Sequence, residues 1–188
     1  MLYGLLAGLA AGWLAGGSLG RLERVSIRWA PVAMIGLLAQ LVLFLGPVAG
    51  RVGELGMPVY VISTAAVLVV VIRNARLPGL ALVAGGAASN LAAIVANGGY
   101  MPASAGALAA LGKSVGDAYS NSTVAISPAL TPLTDLFALP RWLPFANVFS
   151  IGDVLICLGV AVAVAALMRG GASGNLPRRY SQPGTSGS

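Results

Sequence analysis

Apolar residues occur along this chain in long uninterrupted runs that are separated by short polar segments. Five runs, near residues 2–19, 29–48, 57–72, 77–96 and 151–168, are predicted to be transmembrane helices. Most of them have about the 17–25 residues that are needed to cross the hydrocarbon core of a bilayer. The pattern therefore predicts an all-α fold, a polytopic integral membrane helix bundle within residues 1–168.

Arginines lie at alternate ends of these runs. They are concentrated in residues 21–28, 73–76 and 169–179, whereas the intervening segments hold only Arg51 or the pair Lys113 and Arg141. Because positively charged loops stay in the cytoplasm, we expect the N-terminus outside, the C-terminus in the cytoplasm, and the long segment 97–150 facing outward. Residues 169–188 are rich in Gly, Ser, Pro and Arg and are predicted to be a disordered cytoplasmic tail.

Composition is that of an integral membrane protein, since 57% of the 188 residues are hydrophobic and 9% are charged. The expected location is the bacterial plasma (inner) membrane. The net charge of +6 lies in the short loops and the tail, so it indicates topology and no nucleic-acid partner. The chain has no histidine and one cysteine, Cys157, so we expect no metal and no cofactor. The expected partners are the lipid bilayer and other membrane protein subunits or a second copy.

The first apolar run carries glycine at every fourth position: Gly4, Gly8, Gly12, Gly16 and Gly20. On a helix these residues form a ridge without side chains, against which another backbone packs closely. Two interpretations follow, packing within the chain or an interface with another subunit.

The outward segment begins with Asn97-Gly98-Gly99 and Pro102, which is typical of a helix end with left-handed Asn or Gly. The alternative is an outer polar rim, formed by Asn97 with Asn147 and Ser150. Residues 103–111 are predicted to form a short helix near the surface.

Residues 128–149 are apolar and aromatic but contain Pro132, Pro140 and Pro144, which forbid a continuous helix. Trp142 and the phenylalanines suit the headgroup region of a membrane. We expect this piece to fold back over the bundle, either as a structural plug or as a lid over a cleft that lipid can reach.

Asp135 and Asp153 are the candidate catalytic acids. Two neighbouring carboxyl groups can share a proton, so that one acts as a base on water and the other as an acid. For Asp153 there is a structural alternative, because Ser150-x-x-Asp153 before an apolar run has the form of a capping box at a helix N-terminus.

Two motifs carry a resemblance. Asn97-Gly98-Gly99-x-Met101-Pro102 together with Ser150-Ile151-Gly152-Asp153 resembles an uncharacterised family of small bacterial multi-pass membrane proteins, a domain of unknown function. The resemblance covers residues 1 to about 168 and implies the topology but no activity.

A second resemblance is local. The run from Phe145 through Asp153 to Gly159 is similar to the last-helix motif of lipoprotein signal peptidases, which use an aspartate dyad near the outer membrane surface. It implies that Asp153 and Asp135 are the pair. Gly152 stands where that family has alanine, and five spans are predicted here rather than four.

The absence of histidine and of charged residues deep within the runs favours a non-enzymatic packing, accessory or assembly subunit of a membrane complex. An aspartyl intramembrane hydrolase is the first alternative. A small-molecule carrier is the second, with a polar path lined by Gln40, Ser63, Thr64, Ser89 and Asn90.

Overall fold

The computed structural model describes residues 1–43, 45, 51, 55–112, 122–123 and 127–170. Most of the tail predicted for residues 169–188 lies outside this range. The described chain is mostly helical, with little sheet. Its α-helices are α1 (Leu2–Leu14), α2 (Ala30–Leu43), α3 (Gly56–Arg73), α4 (Leu80–Ala96), α5 (Ala105–Ala110) and α6 (Ile151–Met168); single 3-10 turns lie at Leu19–Arg24 and Thr131–Leu133.

Two of these helices, α3 and α6, are long and apolar enough to cross a membrane, with 18 residues each. Three shorter apolar helices, α1, α2 and α4, have 13, 14 and 17 residues. The first helix therefore ends well before the residue 19 that the apolar run predicted. It ends because Gly16 is left-handed (φ 74°) and the Gly17 amide turns back to the Gly12 carbonyl at 2.8 Å.

By their main contacts the five apolar helices pack in the order α1, α6, α4, α3, α2. Helices α1 and α6 run parallel, since Gly4 lies against Cys157 and Gly8 against Ala161. The other neighbours are antiparallel. The chain thus has a loop end, which holds the described residues of the segment 97–150, and an arginine end, which holds residues 15–29, 73–79 and 169–170.

Three of the predicted ridge glycines, Gly4, Gly8 and Gly12, are buried in the contact between α1 and α6. A methyl group at Gly8 would lie 2.7 Å from the Ala161 carbonyl oxygen. The other two lie beyond the end of α1: Gly16 is exposed and Gly20 belongs to the 3-10 turn, so neither continues the ridge. The ridge in this structure packs one helix of the chain against another.

Helix α4 approaches α6 just as closely on the other side. Buried Gly86 and Gly152 face each other, and a methyl group on either would overlap backbone or side-chain oxygen across the contact. Further along, Gly159 lies against Gly79, with 2.6 Å between the Gly79 carbonyl oxygen and a methyl group added at Gly159. Because both helices lack side chains at these positions, their polar side chains come within hydrogen-bonding distance.

The loop end contains the short helix α5 and four two-residue strands. Ser104 caps α5 by accepting a hydrogen bond from the Ala107 amide at 3.0 Å, which places the helix inside the range predicted from the sequence. Strand β1 (Met101–Pro102) pairs in parallel with β2 (Ser122–Thr123), and β3 (Phe137–Ala138) pairs antiparallel with β4 (Val148–Phe149). Short strands were not among the sequence predictions, since segments of two residues have no detectable period.

Two asparagines at helix C-termini act as clamps. Asn74 follows α3, and its amide donates to the carbonyls of Val70 (2.7 Å) and Arg28 (2.9 Å) while accepting from the Arg28 amide (2.9 Å). Asn97 follows α4 and forms the same three kinds of bond, with Ala93 and both backbone groups of Ala129. Each clamp holds a distant segment against a helix end. Asn97 itself has φ −112°, so the left-handed residues here are Gly98 and Gly99.

We expect Asn74→Asp to lower the free energy of unfolding by about 2–3 kcal/mol, because a buried carboxylate would face two carbonyl oxygens in place of the donated bonds. Asn97→Asp is the matched control, with an expected loss of about 1 kcal/mol, since the Ala129 carbonyl is exposed and can bind water. Thermal unfolding in mild detergent compares the two variants. Equal losses would show that burial of Asn74 adds nothing to its clamp.

Candidate functional site

The polar cluster at the loop end is built around the start of α6. The Ser150 hydroxyl accepts from the Asp153 amide at 3.1 Å, and the Asp153 carboxylate accepts from the Ser150 amide at 2.9 Å. The predicted capping box is therefore present. It fixes the Asp153 side chain at the helix N-terminus, where the helix dipole stabilises negative charge.

Asn90 of α4 joins this cap from the neighbouring helix. Its amide nitrogen donates to Asp153 Oδ1 at 2.9 Å. Its amide oxygen lies 2.9 Å from the Ser150 hydroxyl, and Asp153 Oδ2 lies 3.0 Å from the same hydroxyl. The hydroxyl has one proton, so it donates to one of these two acceptors at a time. Asn90 thus closes a three-residue network, and Gly152 leaves the space in which its amide oxygen sits.

Asp135 reaches the same region from the loop. Its amide donates to the Pro102 carbonyl, and its carbonyl accepts from the Ser104 amide, each at 2.9 Å. These bonds form a parallel bridge with residue 103 and hold the side chain of Asp135 inside, where only 7% of the residue is exposed. Among the described residues its carboxyl group has no hydrogen-bond donor, in contrast to that of Asp153.

Burial first, and the nearby charge of Asp153 second, together raise the pKa of Asp135 to about 7. The structure thus brings together the two acids that the sequence singled out, at least to within electrostatic range. They differ in environment, since hydrogen bonds surround the Asp153 carboxylate, whereas no described residue donates one to the buried carboxyl group of Asp135. Near neutral pH Asp135 can therefore gain or lose a proton beside a second carboxyl group.

A groove of about 460 Å³ opens beside this cluster, between α1, α6 and the β3–β4 hairpin. Its walls are almost entirely apolar, and Asp153 is the acidic residue among them; other lining residues include Tyr3, Ala7, Leu139, Leu143 and Leu158. The volume lies within the range of roughly 300–1,000 Å³ that is usual for small-molecule sites. Asp135 is not among the lining residues.

The β3–β4 hairpin forms one wall of the groove, through Leu139, Leu143 and Phe149. Phe137 and Phe149 stack across its two strands with ring centroids 5.5 Å apart, and the Tyr3 hydroxyl of α1 donates to the Pro144 carbonyl at its tip. Trp142 and Phe145 point away from the protein and are each 80% exposed. Large aromatic side chains placed in this way are typical of a segment that rests in the membrane interface.

The residues predicted for an outer polar rim do not form one. Ser150 is fully buried in the helix cap, and this is a correction to its predicted place at the surface. Asn147 is exposed, and its backbone carbonyl pairs with the Leu139 amide at 3.0 Å. Asn97 clamps residue 129. The side chains of Ser150 and Asn97 bond to nearby backbone groups, and the sequence pattern alone cannot distinguish this from an open rim.

The residues proposed for a carrier path are divided between two helix contacts. Gln40 donates to Thr64 at 3.2 Å between α2 and α3, and Ser63 donates to the Tyr60 carbonyl on α3. Asn90 faces α6 instead, and buried Ser89 Oγ has no hydrogen-bond partner in the described structure. This arrangement gives no continuous polar path, and a carrier is not proposed.

The sequence pattern places Asn90 only on the polar path of a carrier and assigns no role to Asn74. A signal for Asn90 exists, because an asparagine in the middle of an apolar helix requires a polar partner on another helix. Its position one turn after Gly86 marks the face of closest approach. No group of three His, Cys, Asp or Glu side chains suited to a metal occurs in the described ranges.

Comparison with known proteins identifies a family but no activity. The model of a family of unknown function, DUF5317, matches residues 24–165, a range that includes Asn90, Asp135 and Asp153. Helix α1 precedes the matched range. No curated protein and no solved structure matches the chain.

Proposed function

Since the chain belongs to the DUF5317 family, whose function is unknown, we propose that it is a non-enzymatic multi-pass membrane protein that binds a membrane amphiphile in the groove between α1 and α6. In this proposal all five apolar helices cross the bacterial plasma membrane. The N-terminus and the loop end face outward, and the C-terminus lies in the cytoplasm.

Exposed apolar surface supports the membrane placement. On one side of α2, Met34, Ile35, Leu38 and Leu41 are 55–68% exposed. A contiguous surface of this kind is costly in water and is expected against lipid. The alternating helix directions place most arginines at one end, which agrees with the proposed orientation.

The orientation is tested with reporter fusions. Alkaline phosphatase, which folds only outside the cytoplasm, should be active when inserted after residue 112 and inactive after residue 76. A fluorescent protein fused to the C-terminus should fold and emit. The reverse pattern would contradict the orientation, and activity of both enzyme fusions would contradict the number of spans.

The observation that carries the ligand proposal is an apolar groove with one carboxylate at its end. The groove runs along α6 from Asp153 to Ala161, about 12 Å at 1.5 Å per residue, which suits an alkyl chain. Asp153 Oδ1 and Oδ2 accept bonds from Asn90 and Ser150, and the residue remains partly exposed. A ligand whose polar end donates hydrogen bonds, such as a hydroxyl or an ammonium group, matches this carboxylate.

Native mass spectrometry of the protein from its own membrane in mild detergent should show the chain with a bound amphiphile. Ala7→Phe, which places a ring in the groove, should reduce its occupancy at least about tenfold, as expected for a blocked pocket. Ala11→Phe is the matched control, since Ala11 is exposed on α1 and does not line the groove. Equal occupancy in both variants would overturn the proposal.

The accessory-subunit hypothesis has less support, because Gly4, Gly8 and Gly12 pack against α6 of the same chain. It makes a distinct prediction in the same experiment. A stoichiometric protein partner in the spectra, without an amphiphile, would make that function the better one.

An aspartyl hydrolase is the second candidate, favoured by the pKa of Asp135 and by its charged neighbour. Asp135 would act as acid and Asp153 as base on a water, at a scissile bond of a lipidated or membrane-embedded substrate. Cells with Asp135→Asn should then accumulate an uncleaved amphiphile that wild-type cells lack. Identical membrane lipid and lipopeptide profiles would exclude this candidate.

A further inference from the structure

A second groove lies at the arginine end of the same helix pair. It has a volume of about 580 Å³ and is formed by the last turns of α1, residues 17–20 and the end of α6. Its walls are mainly apolar and include Leu9, Ala10, Trp13, Leu19 and Met168. Trp13 is 76% exposed and Leu19 is 62% exposed, so no described part of the chain covers this surface.

Positive charge is concentrated at the end of the protein where this groove lies. The described residues of the arginine end contain Arg21, Arg24, Arg28, Arg73, Arg76 and Arg169 but only one acid, Glu23. Arg73 lies over the ring of Trp29 at 5.1 Å and is engaged there. Arg21 is held at the groove itself, because its Nη1 donates to the carbonyl of Met168 at 3.1 Å.

Arg21 and Arg24 belong to the same 3-10 turn, which packs against α6. One nitrogen of Arg21 is used by the Met168 carbonyl, and the remaining donors of its planar group are suited to a phosphate. The backbone amides of Gly17 and Ser18 are already bonded, to Gly12 and Met168, so the ligand's charge would be met by side chains.

We propose that this groove binds one anionic phospholipid of the inner leaflet, with an acyl chain along Trp13 and Leu19 and the phosphate at Arg21 and Arg24. The proposal rests on the membrane placement given above but not on the amphiphile in the first groove. Basic residues near a membrane attract anionic lipid without fixed stoichiometry. An apolar groove beside two arginines instead binds a single lipid molecule, because the groove holds its acyl chain and the arginines hold its phosphate.

The test uses the full chain reconstituted in vesicles of equal phosphatidylglycerol and phosphatidylcholine, then extracted in mild detergent. Native mass spectrometry should show one retained phosphatidylglycerol in clear excess over phosphatidylcholine. The double variant Arg21→Gln, Arg24→Gln should lower this preference about 25-fold, at roughly fivefold for each arginine near the surface. Arg51→Gln, the same charge change at a site remote from this groove, should leave the preference unchanged.

The apolar part of the site is tested without altering charge. A Cβ at Gly20 would meet only Ser18 Oγ, at 3.8 Å, so Gly20→Leu fills the groove without a steric conflict. This variant should lose the retained lipid, and Ala10→Phe provides a second blocked groove if the first fails to fold. Inorganic phosphate added to the wild type should not displace the lipid.

The outcomes separate the possible failures. Equal retention of both lipids would overturn the anionic site while leaving the membrane placement intact. Full retention by folded Gly20→Leu and Ala10→Phe would reduce the effect to surface charge and overturn the groove. Displacement by inorganic phosphate would show a simple anion site instead. Absence of both lipids from the wild type, with reporter fusions that contradict five spans, would remove the membrane premise itself.

Discussion

Asp135→Asn is expected to stabilise the protein at pH 8 by up to about 4 kcal/mol. The pKa of Asp135 is raised from 3.8 to about 7 in the folded protein, so ionising it there opposes folding. Each pKa unit corresponds to about 1.4 kcal/mol. Asparagine has nearly the shape of the protonated acid and avoids the buried charge.

The pH dependence gives the sign of this effect. The folded protein holds the Asp135 proton more tightly than the unfolded chain, so this contribution to stability is fully present below about pH 4. This contribution is lost as the pH rises from about 4 to 7. Above that range Asp135 gives no further change of stability with pH. The wild type and Asp135→Asn should therefore have similar unfolding midpoints at pH 4 and differ most at pH 8.

Asp153→Asn is the contrasting control. At this position the carboxylate accepts from Ser150 and Asn90, and an amide would turn a donor toward one of them. A loss of about 1–3 kcal/mol is expected, as for an unsatisfied buried group. Thermal unfolding in detergent across the pH range measures all three proteins. An Asp135→Asn variant that is less stable than the wild type at pH 8 would contradict the environment described for Asp135.

A stabilised Asp135→Asn variant would also help to decide between the proposed functions. A buried acid that opposes folding is kept in a protein when its proton or charge is used. If the variant also accumulates an uncleaved amphiphile, the hydrolase becomes the better proposal. If it binds the amphiphile normally, Asp135 is dispensable for the groove.

The second large effect is expected at Gly152, where Gly152→Ala should cost about 3 kcal/mol or more. Its new methyl group would overlap Asn90 Oδ1 and lie 2.7 Å from the Gly86 carbonyl oxygen. Helices α4 and α6 would have to separate, because neither contact is with the flexible end of a long side chain. Over-packing of this kind costs about 1–3 kcal/mol, and the broken Asn90 network adds to it.

Gly85→Ala is the matched control on α4. Nothing lies within 4 Å of a methyl group at Gly85, so the change should stabilise the helix by about 0.5–1 kcal/mol through its backbone entropy. Unfolding midpoints of the two variants should thus move in opposite directions. Similar midpoints for Gly152→Ala and the wild type would show that α4 and α6 do not approach as closely as described.

Both predictions depend on relations that the sequence shows only in part. The sequence singles out Asp135 and Asp153 as two acids that could share a proton, and Ser150-x-x-Asp153 predicted the helix cap correctly. Their proximity is not predictable from the sequence, since 17 residues with two prolines separate them. The parallel bridge between residues 103 and 135 brings Asp135 inward, and a pairing of single residues leaves no periodic pattern.

The glycine spacing also predicts the structure only in part. Their spacing predicted close helix packing, and the structure places Gly4, Gly8 and Gly12 in such a contact. The pattern continued to Gly20, but the helix did not, because Gly16 takes a left-handed conformation that glycine allows without cost. A periodic pattern therefore overestimated the length of α1.

The sequence by itself determined the helical class, the apolar runs, the cap of α6 and the short helix α5, because these depend on neighbouring residues and on hydrophobic length. The tertiary structure decided which helix each glycine faces, that Ser150 is buried, that Asn74 and Asn97 act as clamps, and that the two acids share one region. These features depend on contacts between residues far apart in the chain. Polar side chains form hydrogen bonds with whichever backbone or side-chain groups the packing places beside them, so only the packed structure specifies the partner.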